Sequence, residues 1–314
     1  MNKTTGVDKM LETALKTEQL TKKYKDNTVL NNVDMTVYRG DIYGIIGRNG
    51  AGKTTMMKIF TGLTEKTEGD YTIFGKNSKE FSKVKHRIGY LIESPSFFSN
   101  LTCYQNLKYH AIQKGIADLG HIDEIIETVR LTKEKDKKFR RLSLGMKQRL
   151  GIALALLDDP DLVLLDEPIN GIDPIGISEM RETFRKLNHE RNMTFIISSH
   201  ILSELYNTAN RFLFIDHGKV LKEMTKQQLD NECRRCIVVK VSDSKKTSAL
   251  LDNKLGITDY KVTDNNMIRI YNLDEETAFI NRYLVNEGIE VSAIYESGVD
   301  IEEYFKSLVG ADNK

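Results

Sequence analysis

The chain has 314 residues, room for one large α/β domain and a smaller companion, because single hydrophobic cores seldom grow past roughly 250 residues. Its 46 Lys and Arg against 45 Asp and Glu leave a net charge of +1, which removes any broad electrostatic reason to bind nucleic acid or an anionic bilayer. Three cysteines, an odd count, argue for a reducing compartment and against a disulfide scaffold, and no run approaches the roughly 20 apolar residues that cross a bilayer.

Residues 1–14 mix charge with scattered apolar side chains, lack a signal-peptide core, and are expected to form an N-terminal extension. From 15 to about 74, short alternating runs predict strands, above all at 29–37 and 41–46, separated by turn residues such as Arg39 and Gly40. Ile42, Tyr43, Gly44, Ile45 and Ile46 read as a buried strand. Between about 94 and 160 the period turns helical. Leu107, Ala111 and Ile112 recur at one spacing and Ile122, Ile125, Ile126 and Val129 at another, which predicts a helical subdomain. Apolar runs return at 162–165 and 195–197 around a helix-like stretch at 176–189, as parallel strands joined by a crossover require. Beyond 230 the order is strand 237–241, helix 248–254, strands 260–262 and 267–271, helix 275–286, strand 290–295 and helix 301–308. That order predicts a small ferredoxin-like α+β domain at 231–314.

The chemistry begins directly after the 42–46 strand. Gly47, Arg48, Asn49, Gly50, Ala51, Gly52, Lys53, Thr54 and Thr55 fit G-x-x-x-x-G-K-[ST] and precede a helix-compatible run at 56–60. Glycines let the backbone approach phosphate oxygens, and successive N–H groups with the helix N-terminus offer partial positive charge to the β-phosphate. Lys53 is expected to bridge the β- and γ-phosphates, Thr54 to hold Mg²⁺, and Thr55 to lie near the α-phosphate.

The run 162–165 ends in Asp166, Glu167 and Pro168, which puts two carboxylates at the carboxyl end of a buried strand, where open α/β sheets bind ligands. Asp166 is expected in the Mg²⁺ shell and Glu167 as the general base for the attacking water. The strand at 193–198 leads into Ser199 and His200, so His200 reaches the same edge and can hydrogen-bond a γ-phosphate. Cys233 and Cys236 have C-x-x-C spacing without a second ligand pair nearby; they are expected to stay thiols, not to bind zinc.

Just upstream of the acidic strand, Leu142, Ser143, Leu144, Gly145 and Met146 resemble the signature sequence of ABC transporter ATPases, and the motifs from 15 to 229 stand in that family's order. The resemblance implies an ABC-type P-loop NTPase core at 15–230, with an antiparallel β subdomain and the helical subdomain. It implies ATP and Mg²⁺ as ligands, and Ser143 with the Gly145 backbone contacting the γ-phosphate held by a second copy of the chain. Leu144 and Met146 replace the family's usual glycine and glutamine. Tyr24 matches the aromatic that stacks on adenine. Asp173, in the string Asn170, Gly171, Ile172, Asp173, Pro174, matches the carboxylate of the loop crossing the dimer seam.

Glu93 stands where most of the family has a glutamine that contacts Mg²⁺ and relays motion to the membrane subunit. With the strings LSLGMKQRLGIA and SSHILSE, it makes the chain similar to the bacitracin-export and lantibiotic-immunity subgroup. The implied partners are a second copy and transmembrane permease subunits on separate chains, at the cytoplasmic face of the cell membrane, with no nucleic acid and no bilayer span of its own. The alternatives are a soluble ABC ATPase acting on the ribosome or nucleic acid, or an exporter of another cargo such as lipid or drug. Against the first, the chain shows neither a second ATPase unit nor a long coiled coil.

Overall fold

The computed structural model describes residues 12–93, 96–233, 235–263, 266–271, 277–297 and 301–311. Residues 1–11 of the expected extension lie outside these, as do Ser94, Pro95, Arg234 and the expected helix start at 275. The chain divides into two units, Met1–Lys226 and Gln227–Lys314.

The first five strands are β1 (Thr13–Tyr24), β2 (Asn27–Tyr38), β3 (Ile42–Ile46), β4 (Glu68–Ile73) and β5 (Lys76–Asn77). Four of them form an antiparallel sheet in the order β2-β1-β4-β5, while β3 leaves to join a second sheet. That second sheet is completed by β6 (Ile88–Leu91), β7 (Leu162–Asp166), β8 (Thr194–Ser199), β9 (Arg211–Asp216) and β10 (Lys219–Thr225). Its order is β10-β9-β3-β8-β7-β6, parallel throughout except for β10 at one edge. All five residues of β3 are buried, which is why its sequence shows no alternation: a parallel strand covered on both faces needs none.

The helix α1 (Lys53–Phe60) packs between the two sheets. Its Met56, Met57, Ile59 and Phe60 share one core with Leu15, Leu30 and Val33 of the first sheet and Ile45, Leu164 and Ile196 of the second. Leu164 lies at the centre of this core with no exposed surface. Leu164→Ala is expected to cost about 2–5 kcal/mol in urea unfolding of the intact chain, through lost contacts plus a cavity between sheet and helix.

Three helices, α2 (Cys103–Gln113), α3 (His121–Thr128) and α4 (Leu144–Ala155), build the stretch that the periodicity marks as helical. A capping box starts α2. Thr102 Oγ accepts the Gln105 N–H at 3.1 Å, and Gln105 Oε1 accepts the Thr102 N–H at 3.0 Å. Cys103, Leu107 and Ala111 bury one i, i+4 stripe, but Ile112 is 60% exposed and not part of the face that its spacing predicts. One residue past Ala111 is a 100° turn around the helix, which takes it out to solvent. On α3 the expected face is in place, with Ile122, Ile125 and Ile126 buried.

The crossover helix α5 (Pro174–Arg191) returns the chain to β8, where Phe184 meets Phe195 with ring centroids 5.4 Å apart. The short helix α6 (Leu202–Tyr206) follows β8, and α7 (Lys226–Cys233) follows β10.

The second unit continues with β11 (Cys236–Val241), α8 (Ser244–Leu250), β12 (Tyr260–Thr263), β13 (Met267–Ile270), α9 (Thr277–Asn286), β14 (Val291–Ser297) and α10 (Ile301–Ala311). Its strands stand in the order β12-β13-β11-β14, every neighbour antiparallel. Ile237, Val239, Ile268 and Ile270 pack with Ile280 and Leu284 of α9 in a core of its own. The α8 helix starts four residues before the expected 248, because Asp243 caps it by accepting the Lys246 N–H at 3.0 Å.

Candidate functional site

At the end of β3 the chain bends sharply, and the bend needs glycine. Gly50 and Gly52 have φ of +83° and +105°, a region that L side chains rarely adopt, and a Cβ on Gly52 would sit 2.7 Å from Leu30 Cδ2. Lys53 then curls back over the loop. Its ammonium donates to the carbonyls of Gly47 at 2.8 Å and Arg48 at 3.2 Å, and lies 3.4 Å from Glu167 Oε1, with 5% of the side chain exposed. A charge so buried persists only because it is paired and hydrogen-bonded. Arg48, Asn49 and Gly50 are exposed at the rim, Ala51 and Gly52 are buried, and Thr54 and Thr55 are half-buried. The N-terminus of α1 carries no side-chain cap, so its backbone donors are left to an incoming anion.

Two strand ends, those of β7 and β8, deliver the polar groups to this loop. Asp166 closes β7, and its Oδ2 accepts the Thr54 hydroxyl at 2.7 Å while its Oδ1 accepts the Ser198 hydroxyl at 2.6 Å. Glu167 turns away through a backbone φ of +46°, and its N–H donates to Ser198 Oγ at 2.9 Å. Its carboxylate faces Lys53 on one side; on the other, Oε2 lies 3.1 Å from His200 Nδ1 and 3.4 Å from Asn170 Nδ2. Lys53, Thr54, Asp166, Glu167 and His200 are thus joined, through Ser198, in one cluster of hydrogen bonds and an ion pair. A hydroxyl beside a carboxylate is a hard-oxygen pair of the kind that Mg²⁺ takes together with phosphate oxygens, so Thr54 and Asp166 fit that ion.

Glu93 follows β6 on the same sheet edge, beside the β7 strand that ends in Asp166. Its carboxylate is 65% exposed and accepts the Lys58 ammonium of α1 at 2.5 Å. That hydrogen bond holds the Lys58 pKa above its ordinary value. Tyr24 ends β1 with nearly half its surface exposed, and the Lys22 ammonium stands 4.6 Å from its ring centroid.

Ser143, Gly145 and Asp173 lie elsewhere, lining a cavity of about 260 Å³ with Ile172 and Arg149. Ser143 caps α4, its Oγ accepting the Met146 N–H at 3.3 Å. Asp173 precedes Pro174 at the start of α5, a position that proline's fixed φ suits. Leu144 and Ile175, on the same two helices, are 58% and 71% exposed. An ionic chain fixes this corner: Arg149 pairs with Glu179, which lies 3.3 Å from Arg130.

No motif gives Ser198 or Asn106 a role, and Asn170 makes a contact that the 170–174 string does not announce. Ser198 and Asn170 touch the acidic pair directly. Asn106, fully buried on α2, accepts the Phe98 N–H at 2.8 Å and donates to the carbonyl of Thr102 at 2.9 Å, which ties Phe98 to the start of α2. The available signal for Ser198 is a polar residue near the end of an otherwise apolar strand; for Asn106 there is none beyond its place three residues after Cys103, one turn along the buried face of α2.

Among known proteins, the family profile described as "ABC transporter" matches residues 30–170. The bacitracin transport ATP-binding protein BcrA of Enterococcus faecalis is 42% identical over 302 residues, covering 96% of this chain and 98% of that one. The lantibiotic transport ATP-binding protein SrtF of Streptococcus pyogenes is 44% identical over 210 residues, 67% of this chain and 90% of that one. The solved ATP-binding cassette MJ0796, in a dimeric post-hydrolysis state bound to ADP and Pi, superposes with a TM-score of 0.62 at 25% identity, over 68% of this chain and 98% of that one. With this architecture, a lysine-bearing loop and an acidic strand end meeting at one sheet edge, the chain belongs to the ABC transporter ATP-binding proteins, and ATP hydrolysis is its activity.

Proposed function

We propose that this chain powers the export of antimicrobial peptides, closing as a pair of identical copies on two Mg²⁺-ATP molecules against permease subunits on separate chains. One observation carries the catalytic part: Lys53, Thr54, Asp166, Glu167 and His200 converge on the edge where the phosphate loop opens. Two further ones support the pairing. Ser143, Gly145 and Asp173 gather at a separate corner of the same unit, and the exposed Leu144 and Ile175 flank them as a small apolar contact surface. A site whose phosphate side and capping side share no cavity within one chain is completed by a second copy in a two-fold arrangement.

In this reading Tyr24 stacks on adenine, and the backbone from Gly47 to Thr55 with the start of α1 cradles the phosphates. Lys53 exchanges its loop carbonyls for β- and γ-oxygens. Thr54 and Asp166 hold Mg²⁺, which when bound neutralises charge developing on the transferred phosphoryl group. Glu167 takes the proton of the attacking water. His200, with Nδ1 on Glu167, keeps that carboxylate oriented and offers Nε2 to the γ-phosphate. Glu93, now on Lys58, is the carboxylate that reaches toward the metal and toward the membrane subunit. Residues 15–230 make up the nucleotide-binding domain, with a helical subdomain at 94–160, and 231–314 an accessory domain of ferredoxin-like type.

Among the described residues no helix is long and apolar enough to cross a membrane, so the reading requires membrane partners, and it places the chain at the cytoplasmic face of the membrane. The bacitracin and lantibiotic transport relatives favour peptide antibiotics as cargo over a nucleic-acid substrate. Cells that lose the chain should become more sensitive to bacitracin or to a lantibiotic, and the wild-type gene, but not Glu167→Gln, should restore resistance. Unchanged sensitivity to both classes would refute the cargo while leaving the ATPase intact.

A further inference from the structure

One side chain touches both halves of the acidic pair. Ser198 lies opposite Asp166 in the parallel register of β7 and β8 and has no exposed surface. Its hydroxyl has one proton to give, and it gives it to Asp166 Oδ1 at 2.6 Å; its lone pairs accept the Glu167 N–H at 2.9 Å. Because a carboxylate can only accept, the direction of both bonds is fixed.

The two bonds do different things. The first holds the oxygen of Asp166 that Thr54 does not, so the carboxylate is gripped on both sides and cannot rotate about its last torsion. The second secures the amide of a glutamate at φ +46°, a conformation that non-glycine residues hold only when their surroundings demand it. That turn is what directs the Glu167 carboxylate to Lys53 and His200 and not along the β7 strand. The adjacent Ser199 has no part in this, since its hydroxyl donates to Glu204 at 2.7 Å and accepts the Ile201 N–H at 3.0 Å.

We infer that Ser198 is a positioning residue for ATP hydrolysis: its buried hydroxyl sets the metal-facing carboxylate of Asp166 and the water-facing carboxylate of Glu167 at a fixed angle to one another. The inference rests on the roles given to those two residues above. It predicts a specific pattern of loss. Ser198→Ala frees Asp166 on one side and leaves the Glu167 amide buried without an acceptor. Ser198→Thr keeps the hydroxyl.

The test uses the full chain and three measurements: kcat and KM for ATP, ATP affinity in EDTA, and Mn²⁺ affinity of the ATP-loaded protein by electron paramagnetic resonance. For Ser198→Ala, kcat should fall on the order of tenfold to a hundredfold and Mn²⁺ affinity about tenfold, the scale of a hydrogen bond to a charged group. ATP affinity in EDTA should stay at the wild-type value, and Ser198→Thr should recover most of both losses. Wild-type kcat and Mn²⁺ affinity in Ser198→Ala, a parallel fall of metal-free ATP affinity, or a Thr variant no better than Ala would each overturn the proposal. If Ser198→Ala does not fold, Ser198→Cys, similar in shape but a weak donor, takes its place with the same expectations. A Glu167→Gln control separates the two levels. Full turnover there removes the base role itself, whereas a dead Glu167→Gln beside a fully active Ser198→Ala removes only the role of Ser198.

Discussion

Glu167→Gln should bind ATP as tightly as the wild type or more so, yet turn it over about 10²–10⁴-fold more slowly, the range that a positioned general base contributes. The substitution preserves shape. Asn170 and His200 can still hydrogen-bond the amide, and the backbone N–H still reaches Ser198, so the fold around the site has no reason to move. What disappears is the acceptor for the water proton. A negative charge beside the γ-phosphate disappears with it, which lowers repulsion in the bound state. With ATP held and not consumed, the paired state should accumulate, visible as a doubling of mass in light scattering on adding Mg²⁺-ATP. A monomer in saturating ATP, or turnover near wild type, would remove Glu167 from this role.

Lys53→Ala should act one step earlier, at binding. The ammonium is almost wholly buried and is satisfied in this structure by the Gly47 and Arg48 carbonyls and by Glu167. The cage is preorganised: the charge already sits where phosphate oxygens must arrive, so little is spent on ordering a long side chain. Hydrogen bonds to charged groups are worth about 1.5–3 kcal/mol each, and Lys53 is assigned two phosphates. Titration calorimetry should therefore show ATP affinity falling at least about a hundredfold, and hydrolysis should vanish with it. An affinity within a few-fold of wild type would mean that the lysine is a structural clasp for the loop and not a phosphate ligand.

Much of the polar cluster around Lys53 was legible because it is written in contiguous strings that follow apolar runs. The strand at 42–46 leads into the phosphate loop, and 162–165 leads into Asp166 and Glu167; a strand end and its next two residues are local facts. The parallel sheet followed from the same runs, since strands buried on both faces read as uninterrupted apolar stretches. Ser198 was not legible, because its meaning depends on register. Only when β8 pairs with β7 does residue 198 fall beside 166, and no spacing rule announces that. Ile112 failed for the opposite reason: a locally plausible period was overruled by the stripe that Cys103, Leu107 and Ala111 bury. The Lys58–Glu93 ion pair joins a helix face to a loop 35 residues later, and it too required the packed structure.

In the proposed pair, ATP held by Lys53 of one copy is capped by Ser143 of the other. Subunit mixing tests this arrangement most directly. Lys53→Ala and Ser143→Arg should each be inactive alone, the first for want of binding and the second because the introduced side chain takes the place of the γ-phosphate held by the facing copy, a place that a Lys53→Ala copy leaves empty. Mixed, they can form pairs in which one intact Lys53 faces one intact Ser143, so ATPase activity should reappear well above the sum of the two separate variants. If the two residues instead serve a site within a single chain, no molecule in the mixture carries both, and activity would remain at the level of the separate variants.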